Sequence, residues 1–341
     1  MKKTIIALTL FTSFTSFTAA AGSFPVDLQT YGFDADSYRY AETALAADHY
    51  ANNIGLGVNV WNHIKEFINV ADQKVIRTNN DSLYSIAVID VSDGADITVP
   101  EMYGRYFSIA IIDMFHFTEQ VITTPGTHKI KADSDYVVAL LRTSADNMNQ
   151  ADIDHVVNNI QPNFTISAQS SVPFVKGDID IENMLAARKE IVAQGMKEQS
   201  LADMMGPRGK VDDWRHLMGT AMAWGVLPDR EASYKVVDPK LADTQCYSAT
   251  FAEPENEGFW SITMYDKQGF LYSDDHGILN GYNRQTNKDG TTTVHFGSAE
   301  NCGKYAVNRL DVTDGWNFLL RVYRPDLEDF HNYQLPEFVK I

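Results

Sequence analysis

Apolar and polar positions along the chain follow two rhythms, and each change of rhythm marks a boundary. Between residues 75 and 142 the period is two. Residues 83–89, 104–113, 117–123 and 136–143 are short runs rich in β-branched and aromatic side chains, separated by turn clusters such as Ser92-Asp93-Gly94 and Pro125-Gly126-Thr127. Strands so closely spaced, with no helix between them, predict an antiparallel sandwich rather than a parallel sheet.

A period of 3.6 flanks this region. Asp36 is the expected N-cap of a helix running to about Asn53, with Tyr38, Ala41, Leu45 and Ala46 on one face, broken by Gly55 and Gly57. Helical spacing returns over residues 150–160, where Ile153, Val156, Val157 and Ile160 align. It returns at greater length over 181–205, which ends at Gly206-Pro207, and again over 212–224, which stops at Gly225. The remainder is β again, with strands expected at 247–251, 259–265, 270–272, 292–296 and 316–323. Asp266-Lys267-Gln268-Gly269 and Asp289-Gly290 supply hairpin chemistry. Five or more short antiparallel strands suggest a jelly-roll-like sandwich.

The predicted organisation is therefore mainly β: an N-terminal sandwich domain with a leading helix over 22–178, a helical linker over 179–210 and a second sandwich over 211–341. Residues 1–21 stand apart. Lys2 and Lys3, an apolar and hydroxyl-rich run to Phe17, then Ala19, Ala20 and Ala21 predict a secretory signal cleaved after Ala21, and with it a periplasmic or secreted protein. No cysteine follows that site to carry a lipid. No later stretch approaches the roughly 20 consecutive apolar residues of a membrane helix, so no membrane insertion is expected.

Charge narrows the partners. The chain carries 28 basic and 45 acidic residues, a formal charge of -17, and losing the two leader lysines moves it to -19. Such a surface repels phosphate backbones, so nucleic acid is excluded. Cys246 and Cys302 read either as one bridge, in a compartment where disulfides persist, or as two separate buried thiols.

Several stretches together resemble an exported family that joins domain of unknown function 1254 to domain of unknown function 1214. The carriers include Val75-Ile-Arg-Thr-Asn-Asn-Asp-Ser-Leu-Tyr-Ser85, Gly104-Arg-Tyr-Phe-Ser108, Asp213-Trp-Arg-His-Leu-Met-Gly-Thr220, Gly258-Phe-Trp-Ser-Ile-Thr-Met-Tyr-Asp266 and the run from Gly315 to Pro325. The resemblance implies an immunoglobulin-like sandwich followed by a jelly-roll-like one, and no established activity. Asn80 stands where the family usually has arginine. No second cysteine lies close to Cys302, so the resemblance leaves Cys246 as its only partner.

Candidate chemistry centres on residues 77–84, where six consecutive polar residues interrupt two apolar strand-like halves. Asp81 is a candidate general base or ligand carboxylate held by Arg77, and Asn79, Asn80 and Tyr84 are candidate ligand-binding groups. The plainer reading is a turn closed by Asn79, Asn80 and Asp81. Asp113 and His116 form a second catalytic candidate, an acid orienting a proton-shuttling imidazole, against the plainer reading of a turn between strands. Asp274-Asp275-His276 has the ligand types but not the spacing of a metal site, and no metal or cofactor is expected.

The aromatics Trp224, Trp260, Tyr265, Tyr272, Tyr282, Trp316 and Tyr323 crowd the C-terminal half, either as core or as platforms for sugar rings. Alternation puts Trp260 on the core face and Tyr265 opposite. In the last long strand it puts Arg321 with Asn317, Leu319 and Tyr323, opposite Trp316, Phe318, Leu320 and Val322. If both faces of that strand are covered, Arg321 requires a carboxylate partner. Three functions are compatible with these residues. One is an enzyme using Asp81 or Asp113 as base, His116 as shuttle and Arg77 or Arg321 as anion clamp on a small polar substrate between the domains. The others are a non-catalytic binder of carbohydrate or another envelope component, and an envelope scaffold.

Overall fold

The structure, a computed structural model, describes residues 24–71, 73, 76–198 and 202–341. The expected signal segment 1–21 lies outside the described residues, as do Val75 and Leu201.

The chain is mainly β, built from antiparallel sheets with a few helices. In chain order the strands are β1 Asn62–His63, β2 Ser82–Asp90, β3 Ala95–Val99, β4 Phe107–Asp113, β5 Thr118–Ile122, β6 Gly126–Lys129, β7 Tyr136–Ser144 and β8 Thr165–Ala168. They continue as β9 Ala232–Val237, β10 Tyr247–Phe251, β11 Trp260–Tyr265, β12 Ile278–Leu279, β13 Thr292–Phe296, β14 Arg309–Leu310, β15 Asn317–Tyr323 and β16 Val339–Lys340. The helices are α1 Ala35–Asp48, α2 Gln150–His155, α3 Ile181–Gly195, α4 Asp213–Met222, α5 Ala299–Cys302 and α6 Leu327–Asn332.

The N-terminal half holds a five-stranded sheet in the order β1-β2-β7-β4-β5 and a three-stranded sheet β6-β3-β8. The five-stranded sheet is covered on both faces, which is why its strands read as near-continuous apolar runs. Leu83, Ala87, Ile89, Ile109, Ile111 and Leu141 point into one core with the small sheet. Ile86, Val88, Ala110, Ile112, Val138 and Leu140 point the other way, into a second core that also takes in Leu227, Ala232 and Tyr323 from the C-terminal half.

The C-terminal half pairs two four-stranded sheets, β14-β13-β10-β16 and β12-β11-β15-β9, antiparallel except for the β13–β14 pair. Between them lies an aromatic core of Phe251, Trp260, Phe296, Trp316 and Phe318. The expected alternation of the last long strand holds: Trp316, Phe318, Leu320 and Val322 enter this core, while Leu319 and Tyr323 pack on the opposite side. That opposite side of the β12-β11-β15-β9 sheet meets the five-stranded sheet, and the contact is the seam of the molecule.

Three expectations shift. Helix α1 is capped by Asp34 rather than Asp36, because the Asp34 carboxylate takes the Ser37 N–H at 2.7 Å and the Ser37 hydroxyl takes the Asp34 N–H at 2.8 Å. Asp36 is instead drawn to Arg39 and Arg208. The long helix expected to 205 ends at Gly195, and it packs on α1 and α4 around Met184, Ile191, Leu217 and Met218. A Cβ on Gly195 would lie 2.3 Å from the Met222 sulfur, so a larger residue there would have to displace that methionine from between α3 and α4. Residues 270–272 form no strand. The Phe270 N–H goes to the Asp266 carboxylate and the Leu271 N–H to Gln73 Oε1, which takes those donors away from any ladder.

Cys246 and Cys302 are joined as a disulfide, with Cα atoms 5.0 Å apart. No helix among the described residues is long and apolar enough to cross a membrane.

Candidate functional site at the seam

The polar segment before β2 enters the seam rather than solvent. Arg77 adopts a left-handed backbone (φ 53°), and its N–H donates to the carbonyl of Gly269, 2.7 Å away in the hairpin turn of the other half. Gly269 has φ +91°, and a Cβ there would meet Ile76 at 3.3 Å, so glycine both makes that turn and lets it dock. From this anchor the chain runs inward. Asn79 Oδ1 accepts the Asp81 N–H at 2.8 Å, which is the turn closure the plainer reading anticipated.

Asp81 is fully buried. Its carboxylate accepts from the Ser261 hydroxyl at 2.6 Å, the Tyr323 hydroxyl at 3.0 Å and Asn280 Nδ2 at 3.5 Å, all from the C-terminal half. Burial pushes its pKa up, and the positive field of Arg321 together with these donors pulls it back. Asn79 Nδ2 reaches the same Tyr323 oxygen at 3.0 Å. Asn80 is half-buried, with a buried side-chain oxygen that meets no donor among the described residues.

Arg321 is buried as its covered strand required, but its partners are neutral. Nη1 donates to Thr263 Oγ1 at 2.7 Å, and Nη2 donates to the Tyr265 hydroxyl at 2.6 Å and to the Arg77 carbonyl at 3.2 Å. No carboxylate among the described residues lies within ion-pair distance, which corrects the expectation of one. Three oxygen acceptors take three of the five N–H groups, and Asp81 supplies negative field from beyond contact. Tyr265 in turn donates to the Thr78 carbonyl at 2.8 Å, and the Arg77 guanidinium lies 5.6 Å from its ring centroid. Arg77, Asn79, Asp81, Tyr265 and Arg321 therefore converge on one network shared by both halves.

Asp113 and His116 lie apart from that network. The Asp113 carboxylate caps its own turn, accepting the N–H groups of Phe115 and Phe117, each at 2.8 Å. His116 is fully buried at φ 70°. Its Nε2 accepts the Gly225 N–H at 2.9 Å and its Nδ1 meets Thr220 Oγ1 at 3.0 Å, so both ring nitrogens are engaged. The pair is a turn clamped onto α4 and the loop after it. Asp274 accepts the Val70 N–H at 2.8 Å and helps tie the two halves together. No group of three metal-ligating side chains occurs among the described residues.

The aromatics form no solvent-facing row. Trp260, Trp316, Tyr265 and Tyr323 are buried, and the most exposed tyrosines, Tyr103 and Tyr305, belong to neither the seam nor the predicted platform.

One part of the seam was not anticipated. Arg142 sits in the middle strand of the five-stranded sheet, directly across from Tyr84 on β2 and Ser108 on β4. In the opposing sheet Ser261, Arg321 and Tyr234 form a cross-strand row, of which Tyr234 feels the Arg142 charge. The guanidinium lies 5.3 Å from the Tyr84 ring centroid, and Nη2 donates to the Gly225 carbonyl. Tyr84, Tyr106, Tyr234 and Phe259 beside it are only half-buried. The available signal was an arginine that follows five apolar residues and continues into Thr143 and Ser144 within one strand.

Two cavities of about 450 and 350 Å³ lie elsewhere. The first is next to Arg309 and Asp311, the second between Tyr31, Tyr40 and Asn183. Arg309 and Asp311 already pair with each other.

Fold and seam together define a two-part, mainly β protein whose halves are locked by a buried polar network. Residues 58–128 match the family described as protein of unknown function (DUF1254), and residues 237–327, later in the chain, match protein of unknown function (DUF1214). No curated protein matches the chain. Among solved structures it is similar to the VPA0106 protein from Vibrio parahaemolyticus, with a TM-score of 0.70 at 19% identity, covering 90% of this chain and 97% of that one. It is also similar to an uncharacterised protein from Burkholderia cenocepacia, with a TM-score of 0.52 at 14% identity, covering 92% and 91%. Both likenesses concern the fold alone.

Proposed function

We propose that the chain is an exported binding protein that holds a small polar molecule in the seam between its two halves. The observation that carries this reading is the convergence of Arg77, Asn79, Asp81, Tyr265 and Arg321 on one buried network, flanked by the half-open rings of Tyr84, Tyr106 and Tyr234. Ligand sites form preferentially where two domains meet, with a few fixed polar groups among apolar and aromatic walls. In this reading the halves are an immunoglobulin-like module ending near residue 178 and a jelly-roll-like module starting near 211, and the mature protein acts in the periplasm or outside the cell.

Binding is favoured over turnover by how the polar groups are spent. A general base has to reach substrate, whereas Asp81 is fully buried beneath three hydrogen-bond donors. His116, the candidate shuttle, has both ring nitrogens occupied away from the seam. A thermal-shift screen of neutral sugars, polyols and small organic anions tests the reading. At least one compound should raise the melting temperature of the wild type and of Tyr305→Ala, and fail to do so for Tyr84→Ala. A screen in which no compound discriminates those two variants overturns it.

A further inference from the structure

Buried guanidinium groups in this protein differ in how they are neutralised. Arg39 pairs with Asp36 and Asp213, and Arg309 pairs with Asp311. Arg321 has three oxygen acceptors and the field of Asp81. Arg142 has no such set, and neither has the half-buried Arg77, whose Nη1 is also buried without an acceptor among the described residues. At 5% exposure Arg142 donates from Nη2 to the Gly225 carbonyl and has Tyr84 beside it, and its buried Nη1 meets no acceptor among the described residues. No carboxylate among the described residues lies within ion-pair distance of it. A buried, unpaired cation costs several kcal/mol unless something offsets it, so an acceptor, whether water, ion or ligand, is expected to complete the position.

The surroundings specify that ligand. Burial acts against the Arg142 charge; the Tyr84 ring lies 5.3 Å from the guanidinium, and Tyr234 and Tyr106 are near enough to interact with it electrostatically. Tyr234 is held protonated by burial, its pKa pushed up to about 12, and feels both Arg142 and Arg321. A protonated phenol beside a guanidinium is a donor set for an oxyanion. The rings supply flat apolar faces: Tyr106 meets Phe259 edge-on at 5.2 Å, and Phe259 stacks on Tyr323 at 4.3 Å.

We infer that Arg142, with Tyr84, Tyr106 and Tyr234, forms the anion subsite of the seam and that its ligand is a small organic carboxylate carrying a flat ring. The inference rests on the seam-binding reading and names the ligand class for it. One free guanidinium nitrogen suits a single carboxylate better than a phosphate dianion, and the aromatic walls suit an unsaturated ring better than a polyol. On a chain of formal charge -17, an anion is admitted only where such a cation is built into the interior.

The test is calorimetric titration of the full chain with benzoate, with benzamide as its neutral isostere and glucose as a neutral polar control. Benzoate should bind saturably and about tenfold or more tighter than benzamide, the difference a charge-assisted hydrogen bond makes. Arg142→Met should abolish that preference, and Tyr234→Phe should weaken benzoate while leaving benzamide unchanged. Without ligand, Arg142→Met should melt no lower than the wild type, because an uncompensated charge is removed; a purely structural arginine would melt lower. If Arg142→Met fails to fold, the structural role is established and the inference is overturned. Equal binding of benzoate and benzamide, or a benzoate preference that survives Arg142→Met, also overturns it. Glucose binding that Tyr84→Ala abolishes, with benzoate inert, removes the anion subsite and leaves the seam reading standing; inert probes of every kind remove both.

Discussion

The Tyr323 hydroxyl donates to the Asp81 carboxylate at 3.0 Å and receives the Asn79 amide at 3.0 Å, so one phenol from the last long strand closes a circuit with two residues of the early polar segment. The ring of the same tyrosine packs against Tyr106 and Phe259. Lock and candidate site thus share a side chain.

Tyr323→Phe keeps the ring contacts and removes the oxygen. It leaves the buried Asp81 short of a donor and the Asn79 amide without its acceptor, which costs about 1–3 kcal/mol. In a double-mutant cycle with Asn79→Ala the two losses should not add, because both variants break the same circuit. Urea denaturation of the four proteins measures the coupling; strict additivity would show that the seam is held by apolar packing alone.

The disulfide between Cys246 and Cys302 spans a sequence separation of 56 residues, from the start of β10 to the short helix α5. Replacing both cysteines by alanine relaxes that loop in the unfolded chain and should cost about 2–4 kcal/mol. The loss should appear as a lower urea midpoint. Tyr323, which closes the circuit with Asn79 and Asp81 of the first half, lies on the other sheet of the C-terminal half, so the coupling measured above should persist in the cysteine-free protein.

The alternation over residues 316–323 was legible because the two faces of that strand meet two different apolar layers. It located Trp316 and Phe318 in the core and Arg321 opposite them. The partners of Arg321 were not legible. They are a threonine and a tyrosine of β11 and a backbone carbonyl 244 residues away, and no local pattern encodes a carbonyl. Arg142 was hidden for a related reason. Its meaning depends on the register that sets it beside Tyr84 and on the docking of a sheet from the other half. Asp113 and His116 have the residue types of an acid–base pair, and only their backbone partners reveal a turn clamp.

Asp113 provides a pH-dependent test. Oδ1 accepts both turn N–H groups, and Oδ2 is buried with no partner among the described residues. Burial raises its pKa from 3.8 to about 6, against the pull of those two N–H groups. A carboxyl whose folded pKa exceeds its unfolded value contributes stability that is fully present below pH 3.8 and is lost as the pH rises through 6. Asp113→Asn keeps an oxygen for the turn and removes the charge. The variant should exceed the wild type in stability by about 1–3 kcal/mol at pH 8 and gain nothing from removal of charge at pH 3.5. Paired urea titrations at the two pH values measure this; a gain independent of pH would mean that burial leaves the Asp113 carboxyl titrating as it does in the unfolded chain.

His216 reverses the sign. Its ring stacks on Phe117 at 3.9 Å, Nε2 lies 3.2 Å from the His116 carbonyl, and Nδ1 is buried without a partner among the described residues. Burial first, and then the positive field of Arg39, lower its pKa from 6.5 to about 3. The neighbouring His116 is lowered well below 6.5, chiefly by burial. A histidine with a depressed folded pKa contributes stability that is present above pH 6.5 and is lost as the pH falls toward the folded value, because the unfolded chain takes up the proton first. Each such ring adds a slope of about 1.4 kcal/mol per pH unit below 6.5. His216→Phe preserves the stack on Phe117 and removes one titrating group. The variant should lose about 1 kcal/mol at pH 8 with the bond to the His116 carbonyl, yet fall less steeply than the wild type between pH 6 and pH 4. The two stability curves should therefore converge on acidification and cross. Curves that stay parallel would show that this histidine takes up its proton without opening the fold.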